Sequence, residues 1–312
     1  MNITVFGGCG FIGSHLVDEL LTQGHQIRVF DRSYELFRPP LDKVEYVLGD
    51  FGNRGLVSSA VKDVDIVYHL ISTTVPKTSN DDPAFDVSSN VIETLYLLEA
   101  CVKKKVQKVV FISSGGTVYG VPDNVPVNEE GQTNPICSYG ISKLAIEKYL
   151  FLFHTLYGLD FTIIRPSNPY GPRQNPKNIQ GAVSVFLGNV LEKLPITIWG
   201  DGSVSRDFLF IHDLVEGVIK ATFTKSEHRI FNLGSGMGTS LTSLVTMIRE
   251  ATRSDIEVIY EVSRSFDVPE LVLDTERASN ELAWSPKTTM LDGLRVTWDA
   301  LLDNKAHKRV GE

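Results

Sequence analysis

Two side chains with complementary proton chemistry stand four residues apart in Tyr139-Gly140-Ile141-Ser142-Lys143, a spacing that puts them on one face of a helix. A phenol with a pKa near ~10 is a poor base at neutral pH, and bringing it down to neutrality takes roughly 4 kcal/mol of differential stabilisation. A neighbouring ammonium and a second positive group in a sheltered site supply energies of that size. Alone, the pair also fits an ordinary exposed helix. Its weight comes from a second motif, Gly7-Gly8-Cys9-Gly10-Phe11-Ile12-Gly13, which follows the first apolar run and opens an amphipathic segment. Glycines at Gly7, Gly10 and Gly13 let the backbone turn tightly against a pyrophosphate, and a helix N-terminus offers N–H groups and positive partial charge. Asp31 ends the second apolar run, where a carboxylate binds the 2′-hydroxyl of an adenine ribose. It also repels a 2′-phosphate, so NAD is expected rather than NADP, although the adjacent Arg32 is a residue type that accepts such a phosphate. Asp50, at the end of the third run, is placed either to reach the adenine or to cap the next helix. The nicotinamide would be the tyrosine's second positive neighbour.

These residues need rigid elements to hold them. Ile3–Phe6, Ile27–Phe30, Val44–Leu48, Ile66–Leu70, Val109–Ser113 and Phe161–Arg165 read as buried strands, each brief, β-branched or aromatic, and bounded by polar residues or glycine. Between them lie helical patterns at Phe11–Thr22, about Arg54–Lys62, Asn90–Lys104 and Ser138–Tyr157. Val91, Leu95, Leu98 and Val102 show the helical spacing in the third. Such alternation requires a parallel sheet with helices on both faces, a Rossmann-type doubly wound α/β fold. After Pro166 the chain becomes rich in Pro, Gly and Asn. The expected division is an NAD-binding domain over 1–168, with 208–233 returning to it, and a smaller mixed α/β substrate-binding lobe over 169–207 and 234–303. A frayed polar tail, 304–312, follows.

Composition excludes several classes. The 312 residues carry 30 basic and 38 acidic side chains, a net charge of −8, which argues against a nucleic-acid binder. Cys9, Cys101 and Cys137 form no CxxC pair, so neither a zinc site nor a disulfide framework is expected, and a reducing compartment fits. No apolar stretch reaches the ~18 residues of a membrane span. The N-terminus carries no signal-peptide pattern, and a cytoplasmic location is expected.

Taken together, Gly7-x-x-Gly10-x-x-Gly13, the stretch Ser113–Gly120 (SSGGTVYG), Tyr139-x-x-x-Lys143, Arg165–Gln174 (RPSNPYGPRQ), Gly200-Asp201-Gly202 and Arg206-Asp207-Phe208 resemble the extended short-chain dehydrogenase/reductase family. Within it the chain resembles the NAD-dependent sugar-nucleotide epimerases of the UDP-glucose 4-epimerase type. The resemblance implies Tyr139 as catalytic base and acid, and Lys143 as the residue that binds the nicotinamide ribose and lowers the tyrosine pKa. It puts Phe11, Ile12, Asp31, Asp50, Phe51, Leu70, Ile71, Ser72, Asn90 and Ser167 at cofactor-lining positions, Asn168 at the substrate diphosphate, and Arg206 and Arg264 as a clamp on that diphosphate. Two guanidiniums suit two phosphates. The implied reaction inverts C4 of a nucleotide-diphosphate hexose, such as UDP-glucose, UDP-galactose or an N-acetyl counterpart, through a 4-keto sugar. A homodimer is implied too, with Asn90–Lys104 and Ser138–Tyr157 pairing into a four-helix bundle.

One position departs from the family. Its usual Ser or Thr, four residues before the tyrosine of the VYG stretch, is Gly115. Ser114, Thr117 or a water is left to contact the reacting hydroxyl, with Ser114 the nearer in sequence. With Gly115-Gly116 there is also no carboxylate for a dehydratase or decarboxylase of this family to use. Leu271 falls seven residues after Arg264, where a bulky tyrosine in some epimerases excludes N-acetylated sugars. It is either a pocket wall roomy enough for an acetamido group or a core residue of the lobe. Three rivals stay open: a reductase or dehydrogenase on the same scaffold, an epimerase of lipid-diphosphate-linked sugars, and a catalytically silent NAD-sensing scaffold.

Overall fold

The first half of the chain folds as its alternating pattern demands. In the computed structural model, residues 1–177, 181–263 and 268–310 are described, with side chains through Lys305. The order is β1 (Asn2–Phe6), α1 (Phe11–Thr22), β2 (Gln26–Asp31), β3 (Val44–Leu48), α2 (Arg54–Ala60), β4 (Ile66–His69), α3 (Pro83–Asp86), a π-helical turn (Val87–Ile92), α4 (Glu93–Lys104), β5 (Lys108–Ile112), α5 (Gly115–Val118), α6 (Ser138–Tyr157) and β6 (Asp160–Pro166). Each of the six strands lies within a residue of its expected bounds. Local chemistry sets several ends. Asp82 caps α3 by accepting from Phe85 N, with Pro83 opening the helix. Gly158, at φ +70°, ends α6 in the left-handed region.

The strands form a seven-stranded sheet in the order β10-β6-β5-β4-β1-β2-β3, where β10 is Ile230–Leu233. The neighbours from β3 through β6 all pair in parallel. Phe6, Phe30, Phe111, Phe161, Leu97 and Leu150 lie in its buried apolar core. The strand order reverses between β1 and β4, and in doubly wound sheets ligands bind beyond the strand ends at such a switch point.

The remaining elements are β7 (Asn168–Tyr170), α7 (Ala182–Leu191), β8 (Ile196–Trp199), β9 (Ser205–Phe210), α8 (Ile211–Phe223), β11 (Gly238–Ser240), α9 (Leu241–Thr252), β12 (Val258–Glu261), β13 (Glu270–Leu271), α10 (Glu276–Leu282) and α11 (Met290–Val310). β9 pairs with β7, β11 and β13, while β8 pairs with β12. The chain divides into two units: Met1–Gly120, Thr133–Arg165 and Val218–Phe231 form one, and Val121–Gln132, Pro166–Gly217 and Asn232–Glu312 the other.

Two expectations are corrected here. The segment 208–233 does not return to the large sheet as a whole, because β9 belongs to the small sheet and only β10 joins the large one. Buried Asp207 explains the placement: its carboxylate accepts from Ser235 N and Oγ, both at 2.7 Å, and from Leu273 N at 3.2 Å, which ties β9 to its own unit. The polar tail is also shorter than expected, since α11 continues through Val310. Among the described residues no helix is long and apolar enough to cross a membrane, and no cluster of His, Cys, Asp and Glu is arranged to hold a metal ion. The three cysteines are free thiols.

Candidate active site

The glycine loop runs from the end of β1 into α1, and its shape leaves no room for side chains. Gly7 has φ +82°, and a Cβ there would lie 3.2 Å from Ile71 N. A Cβ on Gly13 would lie 2.1 Å from Gly7 O and 2.7 Å from Gly8 Cα. Helix α1 starts after Gly10 with no side-chain cap, so Phe11 and Ile12 open a helix whose positive end is left for an anion. At Gly13 an added carbon would overlap the loop's own backbone, and the tight turn this glycine allows beside the start of α1 fits a dinucleotide pyrophosphate.

Asp31, Asp50, Phe51, Leu70, Ile71 and Ser72 end or closely follow strands β2, β3 and β4. Asp31, at the end of β2, accepts from Cys9 N at 3.0 Å and from Arg32 N at 2.8 Å; burial pushes its carboxyl up, against these hydrogen bonds. Arg32 itself is exposed. Asp50 does not cap α2, since Asn53 holds that position and Asp50 accepts instead from Gly52 N at 2.8 Å. Phe51 is buried edge-on to Phe6. Leu70 N donates to Phe6 O, which ties the Leu70–Ile71 segment to β1 beside Gly7. Ser72 is exposed and donates to Thr74 O at 3.0 Å. Asn90 is buried, accepting from Thr73 N at 3.0 Å.

At the end of β5 the proton-transfer candidates meet. Lys143 Nζ donates to Ile112 O at 2.9 Å and lies 5.6 Å from the centre of the Tyr139 ring. Ser114, just before α5, hydrogen-bonds the Tyr139 side chain. Thr117 Oγ1 is buried and, among the described residues, has no hydrogen-bond partner. Gly140 lets α5 and α6 approach, as a Cβ there would sit 3.3 Å from that of Thr117. The expected lowering of the phenol is not found in the protein alone. Burial pushes Tyr139 above its ordinary value, Cys137 and Asp86 add to this, and only the Ser114 hydrogen bond opposes it. Burial also brings Lys143 down to about 8, against the pull of Asp86 and Glu147.

Two buried polar networks that motif reasoning misses support this corner. Glu147, one turn after Lys143, binds Arg165 through Nε at 3.0 Å and Nη2 at 2.6 Å. Ser113 Oγ also donates to Glu147, and Arg165 Nη1 donates to Tyr119 OH at 2.9 Å. A signal for it is present in the sequence: Tyr139, Lys143 and Glu147 recur every four residues along one helix face. The second network centres on Asp86, the last residue of the short helix α3, where a single turn offers no such periodicity.

In the second unit, Ser167 N donates to Leu233 O at 2.9 Å and Asn168 Nδ2 to Asp207 O at 2.9 Å. Arg206 Nη1 donates to Ser205 O at 2.8 Å and Val268 O at 2.6 Å. Arg264 lies outside the described residues. Leu271 pairs with Arg206 in β13 and is 2% exposed, the placement of a core residue.

A family model described as the NAD dependent epimerase/dehydratase family matches residues 3–234. The chain belongs to this family. It is 36% identical over 304 residues to the UDP-glucose 4-epimerase of Mycolicibacterium smegmatis, covering 95% of this chain and 97% of that one. Among solved structures, the UDP-glucose 4-epimerase of Thermotoga maritima with UDP-glucose is 33% identical, with a TM-score of 0.91 over 98% of this chain and all of that one. The Thermus thermophilus UDP-glucose 4-epimerase in complex with NAD is also 33% identical, with a TM-score of 0.90 over 97% and 99% of the two chains.

Proposed function

We propose that this chain is an NAD-dependent epimerase that inverts C4 of a UDP-linked hexose: glucose and galactose, or their N-acetyl counterparts. The observation that carries the reading is the convergence of Ser114, Tyr139 and Lys143 at the end of β5, in the same unit as the glycine cradle. NAD, when bound, would supply the reversible hydride acceptor that C4 inversion needs.

The residues divide the remaining work. Gly7, Gly10 and Gly13 hold the pyrophosphate at the N-terminus of α1. The Asp31 carboxylate meets backbone donors from Cys9, Arg32 and Ser33, and of its four lone-pair sites one is left able to take a ribose hydroxyl while repelling a 2′-phosphate. Lys143 keeps N–H donors beyond the one given to Ile112 O, and these suit the nicotinamide ribose. Tyr139 takes the proton of the sugar 4-hydroxyl through its phenolic oxygen, with Ser114 Oγ as the intervening hydroxyl that stands in for the side chain Gly115 lacks, and later returns it. A positive charge beside the phenol is what would offset the burial that holds it neutral. Asn168, Arg206 and Arg264 are proposed to bind the diphosphate.

The active form is proposed to be a cytoplasmic homodimer. Ile141, Leu152 and Leu156 are exposed on α6, at spacings that fall within one helix face, which suits pairing with a second copy. Incubating the protein with a panel of UDP-hexoses and following C4 inversion by NMR tests the function. Inversion with no added cofactor supports it. Turnover only with stoichiometric reduced or oxidised cofactor replaces it with a reductase or dehydrogenase.

A further inference from the structure

Asp86 is fully buried, and among the described residues no cation lies within ion-pair distance of it. It still meets four side-chain donors. Thr74 Oγ1 and Asn90 Nδ2, the latter at 3.0 Å, donate to Oδ1; Ser138 Oγ at 2.8 Å and Ser142 Oγ at 2.6 Å donate to Oδ2. These donors come from three places: the 72–74 segment, the helical stretch that leads into α4, and the first turn of α6. The two serines bracket Tyr139 in sequence, and Ser142 directly precedes Lys143. Isolating a carboxylate from water is costly unless its lone pairs are used, and here they are used to bind the turn that carries the proton-transfer pair. Tyr139 N and Ser138 N are held from the same side, donating to Ser79 Oγ at 3.0 Å and Asn80 Oδ1 at 2.9 Å.

We propose that Asp86 is a positioning residue for the proton shuttle: its carboxylate staples the start of α6, which carries Tyr139 and Lys143, to the 72–74 segment. This rests on the reading of Tyr139 as the base. The charged and titratable groups facing the pair are Asp86, Cys137, Glu147 and His69. Cys137 stands at the start of α6 and Glu147 one turn beyond Lys143, already paired with Arg165. His69, on β4, is held neutral, its imidazole brought down to about 3 by burial and by Lys143. Asp86 is therefore the one group among these that combines negative charge with hydrogen bonds to the residues on both sides of Tyr139. Its charge favours the ammonium of Lys143 and disfavours a premature phenolate.

The test is an ultraviolet titration of phenol ionisation in the NAD-loaded protein, where the cofactor's positive charge would bring the midpoint into reach, with the Tyr139→Phe titration subtracted to isolate Tyr139. Asp86→Asn, which keeps the size and removes the charge, is expected to lower the midpoint by up to about one pH unit. The Ser138→Ala/Ser142→Ala double variant keeps the charge and unties the turn. It is expected to leave the midpoint in place while lowering kcat by about tenfold or more at constant KM, as misplacement of a proton-transfer group does. An unmoved midpoint in folded Asp86→Asn overturns the effect assigned to its charge. Full turnover in the double-serine variant overturns the positioning role, and that arm answers even if Asp86→Asn does not fold. If Tyr139→Phe keeps its turnover, the base reading fails, while the midpoint of Tyr139 still reports on Asp86.

Discussion

The glycine loop and the first turn of α6 lie in the same unit and are built by opposite means. The loop works by having nothing: a single carbon on Gly13 would fall 2.1 Å from a backbone oxygen, and α1 begins without a side-chain cap. The turn of α6 works by having much: buried hydroxyls bound to a carboxylate, and an ammonium bound to the end of β5. An anion site made from backbone dipoles tolerates changes of charge nearby but no added volume. A proton-transfer site depends instead on the charges that set its protonation and on the hydrogen bonds that hold its groups in place. The two regions should therefore fail differently when altered.

The largest effect is expected at the phenol. Tyr139→Phe removes one oxygen and should lower turnover by several orders of magnitude while NAD stays bound, as read by steady-state kinetics and by cofactor absorbance after gel filtration. Near-normal turnover would break the proton-transfer side of the comparison. Gly13→Ala should do the reverse, abolishing NAD retention and lowering stability by about 3 kcal/mol, the upper part of the overpacking range. Thermal melts with and without NAD check this, and a variant still stabilised by NAD would show that the cradle has room after all.

The next effect is about 10²-fold. Ser114→Ala removes the one hydrogen bond that pulls the Tyr139 phenol downward, and a positioned proton-transfer partner contributes on that scale. Turnover should fall and the acid limb of the pH profile should move upward, because the phenol becomes harder to ionise. Smaller still is a pH effect on cofactor capture. Burial holds Lys143 at about 8, below its ordinary 10.5, so the ammonium is complete below pH 8 and is lost as pH rises through it. NAD affinity measured by fluorescence should be flat below pH 8 and weaken above it, by up to about tenfold per pH unit. Lys143→Met should remove that dependence.

How much of this is legible before folding depends on the range of the interaction. Strands β1 to β6, and helices α1 and α6, follow from apolar periodicity and end residues such as Gly158, all of it local information. Tyr139, Lys143 and the glycines carry their chemistry in their spacing. The run Phe208-Leu209-Phe210 looks like any buried strand, so pattern alone puts β9 in the wrong sheet. What places it is Asp207, whose partners Ser235 and Leu273 lie 28 and 66 residues further along. Asp86 escapes notice for the same reason: its serine partners lie 52 and 56 residues away. A buried acid is informative only once its donors are known.

The smallest effect expected is at Thr117, where the two candidate hydroxyls part company. Ser114 bonds the phenol, whereas Thr117 Oγ1 is buried with no partner among the described residues. An unsatisfied buried hydroxyl costs stability, and replacing it with a methyl of nearly the same volume removes that cost. Thr117→Val should therefore leave the melting temperature unchanged or raise it slightly, a gain of up to about 1 kcal/mol. It should lower turnover by less than about tenfold, well short of the loss at Ser114. Chemical denaturation and steady-state kinetics on the two variants side by side decide the matter. A 10²-fold loss in Thr117→Val with Ser114→Ala unaffected would move the relay to Thr117, and the hydroxyl that is unsatisfied in the protein would be the one that meets the sugar.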